Sequence, residues 1–326
     1  MKPRIFWPAA LLLAGAALAA PPNPSTFSIV AADPATGEVG VAVASRFFAV
    51  GAVVPFARAS VGAIATQATA NTSFGPRGLE LLAQGLTPEE VVTVLLRNDS
   101  DRDRRQIGVV SAAGHPWSFT GPDCGAWAGG RTGPAFAVQG NILVGEAVVV
   151  AVEKSFLESH GKPLAERLLL ALKAGDAAGG DSRGRQSAAL LVAREHGGYG
   201  GFLDNAIDIR VDDHADPFGE LERLLGIALV NDLWNRGWTA FTEKRFDEAR
   251  SWQEQAAQRA QSQPAVLPEV LYDLAVIRLA AGDREAALQA LDAALAANPK
   301  LVAQARSDSD LAAIRGVIEE RYPAPR

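Results

Sequence analysis

The chain has 326 residues, a net charge of −6, 48% hydrophobic residues and 21% charged residues. This composition is typical of a globular protein, and an acidic chain without a dense Lys/Arg block is a poor binder of nucleic acid or of anionic membranes. The single cysteine, Cys124, excludes an intramolecular disulfide and is expected to be a small buried residue rather than a thiol nucleophile. Four scattered histidines lack metal-ligand spacing, so neither a metal site nor a cofactor is predicted.

The first residues predict a secretory signal peptide. A basic start (residues 1–4) precedes an almost wholly apolar run (residues 5–18), which is too short for a membrane span and has no stop-transfer flank. Cleavage is predicted between Ala19 and Ala20, because a cut after Ala20 would adjoin Pro21. With a signal peptide at residues 1–19 and no other apolar run long enough to span a bilayer, the protein is predicted to be exported, either periplasmic or secreted.

Strands and helices follow in blocks from Thr26 to Val211. The pattern predicts strands at residues 27–32, 39–44, 52–54 and 61–66, helices at 74–83 and after Thr87, strands at 106–111 and 117–120, helices at 146–160 and 164–174, and strands at 187–192 and 206–211. Runs of one element type, rather than strict βαβ alternation, predict an α+β fold and favour a four-layer αββα sandwich. A three-layer arrangement with a mostly parallel sheet fits less well, because the early strands have hairpin-length connections.

After the helix start at Asp216-Pro217, the chain becomes rich in Ala and Leu and is predicted to be helical up to Ile318. Two of its segments match each other, with Gly237 corresponding to Ala275 and Ala249 to Ala287. The matching segments resemble a pair of tetratricopeptide repeats, with residues 301–319 as a capping helix. A generic helical bundle with Ala-rich seams is the alternative. The sequence therefore divides into a first domain at residues 26–228 and a helical domain at 229–326.

Thr26 opens the first predicted strand shortly after the leader. In a mature chain that began with Thr26, the hydroxyl would be the nucleophile and the α-amine, with an ordinary pKa near 8, would be its base. Cleavage between Ala19 and Ala20 leaves residues 20–25 ahead of Thr26, so this chemistry requires a second cut. Without that cut, Thr26 is an ordinary strand residue.

Motifs spread over Thr26 to about Leu225 carry a family resemblance. They are residues 26–31, 40–46, 49–51, 65–68, 71, 75–78, 139–143, 179–181, 184–188 and 211–214. This part of the chain resembles the DUF1028 family, whose biological role is unknown and whose members look like N-terminal-nucleophile (Ntn) hydrolases. The resemblance implies an Ntn-hydrolase-like αββα fold in which the first residue attacks an amide or related acyl bond. In many cytosolic members Thr directly follows the initiator Met, and this chain departs from that pattern.

The resemblance also implies partners for a threonine nucleophile. Ser45 and Arg46 end the strand predicted to pair with the first one, and Arg58 starts the next strand at a spacing where this superfamily often places a Lys or Arg. Either arginine is a cation that tunes the amine or a surface charge at a strand end. Asn71 follows a strand of small residues, and it is an oxyanion donor or a helix-capping residue.

Substrate contacts are predicted in two further places. Asn141 follows Gln139-Gly140 and is a second amide donor or a turn former. The glycine-rich loop at residues 179–187 contains Asp181, Arg183 and Arg185, and it is a clamp for a substrate carboxylate or an exposed hairpin with solvated arginines. The acidic residues between Asp208 and Asp216 indicate a structural turn rather than a metal site.

Two functional hypotheses follow. The first is an exported Ntn-type hydrolase that cleaves an amide, small peptide or related acyl bond with Thr26. The second is a catalytically silent periplasmic interaction module that binds a protein partner through its helical repeats. The partners are therefore an amide substrate in the first case and a protein in the second, and homo-oligomerisation is left open.

Overall fold

A computed structural model describes residues 26–323, so the predicted signal peptide at residues 1–19 lies outside the described residues. The ten strands of this part are β1 (Thr26–Asp33), β2 (Glu38–Ser45), β3 (Pro55–Arg58), β4 (Gly62–Ala68), β5 (Arg105–Ser111), β6 (Pro116–Thr120), β7 (Gly129–Gly133), β8 (Phe136–Asn141), β9 (Ser187–Ala193) and β10 (Asn205–Val211). Its ten α-helices are α1 (Phe74–Ala83), α2 (Pro88–Leu96), α3 (Ala147–Glu158), α4 (Leu164–Ala177), α5 (Pro217–Thr242), α6 (Phe246–Ala260), α7 (Leu267–Ala280), α8 (Arg284–Ala297), α9 (Leu301–Ser307) and α10 (Arg315–Arg321).

The strands form two antiparallel sheets. The six-stranded sheet has the order β10-β9-β2-β1-β8-β7, and the four-stranded sheet has the order β3-β4-β5-β6. The predicted hairpin of the first two strands is confirmed, with Val30 opposite Val41 and Asp33 opposite Glu38. Gly37 closes the hairpin turn at a φ of 72°, a conformation that glycine adopts without the steric cost of a side chain.

The two sheets face each other across an apolar interior. Val30, Val41 and Val43 of the six-stranded sheet pack there with Ala63 and Val110 of the four-stranded sheet. Alternation along each strand sends the neighbouring residues to the outer faces, as a period of two requires. The two sheets therefore share one buried layer of apolar side chains.

Helices cover the outer face of each sheet. Ile29 and Phe136 of the six-stranded sheet pack against Val152 of α3 and Leu168 of α4. Helices α1 and α2 cover the four-stranded sheet, where Ile64 joins a second apolar cluster. The predicted capping box of α2 is confirmed, since Thr87 and Glu90 bond each other's backbone N–H groups. The site-bearing strands β1 and β4 are thus held between two helical layers.

The helical run begins where it was predicted, because Asp216 caps α5 and Pro217 occupies its first turn. Helix α5 has 26 residues and passes without interruption through residues 228 and 229. Leu221 and Leu225 pack in the core of the sheet region, whereas Val230 packs in the core of the helical region. One helix therefore contributes side chains to both cores. No helix in residues 26–323 is long and apolar enough to cross a membrane.

Three expectations about elements need correction. Residues 52–54 are not a strand, since a short 3-10 helix at Val50–Ala52 precedes β3. Residues 301–319 are not one capping helix, because α9 ends at Ser307, where the carboxylate of Asp308 accepts the N–H of Asp310 and competes with helical bonding. Strands β7 and β8 were not predicted at all, although β8 is a direct neighbour of β1.

Candidate functional site

Thr26 occupies the first position of β1, in the middle of the six-stranded sheet. It lies opposite Ser45 at the end of β2 and opposite Asn141 at the end of β8. The Thr26 side chain is buried, with 1% exposure for the residue, and its Oγ1 lies 3.1 Å from Ser45 Oγ. Three strand ends therefore place two hydroxyl groups and an amide around one point.

Side-chain amides hold the main chain of Thr26. The Thr26 carbonyl oxygen accepts hydrogen bonds from Gln67 Nε2 at 3.3 Å and from Asn141 Nδ2 at 3.4 Å. Both amides also donate to Gln106 Oε1, at 2.8 and 2.9 Å respectively. Gln106 is the hub of this group, because its own Nε2 donates to the Gly140 carbonyl at 2.8 Å. The arrangement fixes the backbone of residue 26 from both sheets.

The set of hydrogen-bonded side chains around Thr26 extends further into the two sheets. Ser28 Oγ donates to Gln67 Oε1 at 2.6 Å, and Gln139 Nε2 donates to Ser28 Oγ at 2.6 Å. Gln139 Oε1 is buried and makes no hydrogen bond within residues 26–323. Its amide lies directly against Gly108, where a β-carbon would overlap it and displace the Gln139 side chain from its present position. We call Ser28, Gln67, Gln106, Gln139 and Asn141 the amide cluster.

Four members of the amide cluster were not predicted as site residues, namely Ser28, Gln67, Gln106 and Gln139. A signal exists for Gln67 and Gln139, because each long polar side chain stands in a strand between apolar or small neighbours, whereas Gln106 follows Arg105. Buried polar side chains nearly always need partners, so such positions indicate a network rather than surface polarity.

A buried carboxylate lies next to Ser45. Asp181 accepts the backbone N–H of Arg46 at 2.7 Å and that of Arg183 at 2.8 Å, and the Arg183 guanidinium also bonds it. Arg46 Nη1 in turn donates to the Arg185 carbonyl at 2.9 Å. The glycine-rich loop is thereby attached to the end of β2, directly beyond the residue that contacts Thr26.

Arg185 is already paired with a carboxylate. Its Nε and Nη2 donate to the two oxygens of Asp176 at 2.7 and 2.6 Å, and this pairing raises the pKa of Arg185 above its usual value. A cavity of ≈ 250 Å³ adjoins this pair and is lined by Phe27, Ser45, Asp181, Arg185 and Phe218, among others. The cavity therefore has both aromatic and charged side chains in its lining, and it reaches Ser45.

Comparison with known proteins places this geometry in a family. The model of a family of unknown function, DUF1028, matches residues 26–221, so the match begins at Thr26. The chain belongs to the DUF1028 family. No curated protein matches it.

A solved structure agrees with this assignment. The crystal structure of a DUF1028 protein from Silicibacter pomeroyi shares 32% sequence identity with the chain and superposes with a TM-score of 0.57. The match covers 63% of this chain and 86% of that one. The family match at residues 26–221 covers the sheet region, which contains Thr26 and the amide cluster.

Two predicted site residues lie apart from Thr26 in this DUF1028 protein. Asn71 Oδ1 accepts the N–H and the hydroxyl of Ser73, so its side chain is engaged in the turn that leads into α1. Arg58 pairs with Gly62, at the opposite end of β4 from Gln67. The structure brings Ser45 and Asn141 to Thr26. Asp181 holds the backbone N–H of Arg46 and lines the cavity that reaches Ser45.

The surroundings of Cys124 and of the potential metal-ligating side chains bear on other kinds of chemistry in the DUF1028 protein. Cys124 is buried, its Sγ lies 3.3 Å from the Arg105 carbonyl, and burial raises the pKa of the thiol to about 11. At neutral pH this thiol is protonated and a poor nucleophile. Within residues 26–323, no group of three His, Cys, Asp or Glu side chains has a metal-binding arrangement.

Proposed function

We propose that this DUF1028 protein is an Ntn-type hydrolase that cleaves an amide, small peptide or related acyl bond with Thr26 as its nucleophile. The observation that carries the proposal is the position of Thr26. It opens a central strand, its hydroxyl meets that of Ser45, and its carbonyl is held by Gln67 and Asn141. The layering of two sheets between helices is compatible with the αββα sandwich of that enzyme class.

Removal of the residues before Thr26 would free its α-amine. The amine then takes the proton of Oγ1 while Oγ1 attacks the acyl carbon, and the carbonyl electrons move to the oxygen. Collapse of this intermediate expels the amine product, which receives the proton held by the Thr26 ammonium. Water then attacks the Thr26 ester with the same amine as base, releasing the acid and restoring the hydroxyl.

The neighbours of Thr26 would act by positioning and by polarity. Ser45 Oγ fixes the direction of the attacking oxygen, and the amide cluster fixes the backbone that bears it. The Asn141 amide already donates to the Thr26 carbonyl and to Gln106 Oε1, so it would have to release one of these bonds to donate to the oxyanion. Since Arg183 and Arg185 already pair with Asp181 and Asp176, a substrate carboxylate would have to compete with those pairs.

The proposal includes export by the leader and the liberation of Thr26 by a second cut. It also includes the division into a catalytic domain (residues 26–228) and a helical domain (229–326) of two tetratricopeptide-like repeats. Successive packing of α5 on α6, α6 on α7 and α7 on α8 supports the repeat assignment.

The first test is the intact mass and N-terminal sequence of the protein recovered from its export compartment. We expect a chain that begins at Thr26, and turnover of an amide in a panel of acyl-aminocoumarin substrates. Thr26→Ala should lower turnover by about 10³-fold or more, since it removes the attacking oxygen. The matched control is Thr93→Ala, an exposed position on α2 that should leave turnover unchanged.

A second candidate is a catalytically silent interaction module. The burial of the Thr26 hydroxyl in a continuous chain favours it, because an internal threonine has no α-amine to act as base. A mature chain that begins at Ala20, with the same low turnover in wild type and Thr26→Ala, would replace the hydrolase by this module. Peptide capture by the helical repeats would then be the activity to measure.

A further inference from the structure

The strand β10 leaves one edge of the six-stranded sheet open. It pairs with β9 without irregularity from Ile207 to Val211, and no strand in the described part of the chain pairs with its other edge. Open edges are usually guarded by Pro, by charged side chains such as Lys, by β-bulges or by a covering segment. The opposite edge strand, β7, carries a charged side chain, Arg131, which bonds Glu153, and glycine at three of its five positions weakens it as a strand.

β10 is only partly guarded in this way, because its two charged side chains, Asp208 and Arg210, have opposite signs. Its sequence contains neither Pro, Gly nor Lys, and its one bulge lies at its start, between Asn205 and Ile207. The residues that follow the bulge expose a row of backbone N–H and C=O groups in regular strand geometry. Such a row is a template for another strand.

An apolar loop adjoins this open edge. Tyr199, Phe202 and Leu203 lie between β9 and β10 and are 84%, 88% and 70% exposed. They are the most exposed large hydrophobic residues within residues 26–323. Three such side chains on one loop form a contiguous apolar surface of the kind that marks a protein contact.

The charges on β10 are complementary to themselves. Asp208 and Arg210 point to one face of the strand, whereas Ile207, Ile209 and Val211 pack toward the helices on the other. The two charged side chains are 46% and 47% exposed, and their closest atoms are 3.9 Å apart. The aliphatic part of Arg210 lies against Gly51, which leaves its guanidinium at the surface. A second β10, turned antiparallel about Ile209, places its Arg210 opposite Asp208 and its Asp208 opposite Arg210.

We propose that β10 pairs antiparallel with β10 of a second copy, around a two-fold axis at Ile209, so that the two six-stranded sheets become continuous. A two-fold axis repeats every contact, so one favourable charge pair becomes two. The strand edge alone buries too little surface for a stable dimer. The apolar loop supplies more, because this register directs residues 199–203 of each copy toward the 212–216 turn of the other.

The test is the mass of the full chain in solution, measured by light scattering after size exclusion at tens of micromolar protein. Wild type should have twice the mass of one chain. Asp208→Arg and Arg210→Asp should each raise the dimer dissociation constant at least about tenfold, because like charges then face each other. The double exchange D208R/R210D should restore the dimer. Glu158→Lys, an exposed charge reversal on α3, is the matched control and should leave the mass unchanged.

A second variant keeps the test decisive if a charge reversal disturbs β10 itself. Phe202→Ser, on the exposed loop, should weaken the dimer while circular dichroism stays that of wild type. A monomeric wild type overturns the proposal. So does a dimer that survives both single reversals, or single reversals whose effect the double exchange does not repair.

Discussion

The region between the two sheets and the helical run both enclose hydrogen-bonded amide side chains, but the helical run also holds a titratable carboxylate among apolar residues. The amide cluster between the sheets is uncharged and bonds the carbonyl of Thr26. In the helical run, the corresponding group is a half-buried carboxylate. Asp273 on α7 accepts the indole N–H groups of Trp234 and Trp238 on α5, both at 2.6 Å, and burial raises its pKa to about 6.

The free-energy cost of enclosing an amide differs from that of enclosing a carboxylate in its dependence on pH. An amide does not titrate near neutral pH, so the sheet interior keeps its hydrogen bonds over that whole range. A buried carboxylate is costly only in its charged form, so the helical interior depends on pH. The charges of Asp308 and Glu269 near Asp273 increase that cost. The two regions therefore differ in what a polar substitution or a change in pH does to them.

The largest effect is expected at the hub of the amide cluster. Gln106→Leu removes the acceptor of Gln67 and Asn141 and the donor to Gly140, and it leaves buried groups without partners. We expect the free energy of unfolding of the sheet region to fall by about 3 kcal/mol, independent of pH. Urea unfolding at several pH values measures this. Gln84→Leu, at an exposed position after α1, should cost little, and an equal loss there would mean that the hub has no special role.

The second effect concerns pH and Asp273. Its pKa is about 6 in the folded protein against an ordinary value of 3.8, so the folded state binds a proton more readily than the unfolded chain does. The contribution of Asp273 to stability therefore falls as pH rises from about 4 to about 6. Between about pH 4.5 and pH 7 the loss is about 2 kcal/mol.

Asp273→Asn should abolish this slope, because the asparagine does not titrate. Thermal unfolding followed by tryptophan fluorescence across that pH range is the measurement. The matched control is Asp247→Asn, an exposed position on α6, which should retain the wild-type slope. A slope that persists unchanged in Asp273→Asn would show that the helical interior is as insensitive to pH as the sheet interior.

The smallest effect is expected at Tyr272, whose hydroxyl donates to Asp308 Oδ2 at 2.8 Å and joins α7 to the segment after α9. Tyr272→Phe should lower the free energy of unfolding by about 1 kcal/mol. Burial and the nearby carboxylates raise the pKa of Tyr272, so the effect should be the same from pH 5 to pH 8. Tyr199→Phe on the exposed loop is the control, and a comparable loss there would contradict the assignment.

The elements that the sequence predicts well are those whose pattern is local. The β1–β2 hairpin alternates large and small residues, and α2 and α5 carry capping residues and proline at their starts. Strand β8 escaped prediction because it has no such pattern. Gln139 and Asn141 are buried there beside apolar residues, so both faces of the strand are covered and the alternation of polar with apolar residues is lost.

The site was predictable in part for the same reason. Ser45 and Asn141 reach Thr26 through strand pairing, which hairpin logic anticipates for Ser45 alone. Gln67 and Gln106 arrive from the other sheet, and the contact between sheets is fixed by packing over the whole region rather than by any short motif. Arg58 shows the opposite case, in which a short-range spacing suggested a site residue that the fold places elsewhere. The register of β3 on β4 places Arg58 opposite Gly62, at the end of β4 that is far from Gln67.

Helix α5 has a mechanical consequence. With 26 residues it is about 39 Å long, and it is anchored in one core at its start and in the other over its second half. A rod held at both ends cannot tilt at one without moving the other. We therefore expect a tilt of α5 that is imposed on the helical run to be felt at Phe218, which lies in the first turn of α5 and lines the cavity beside Ser45.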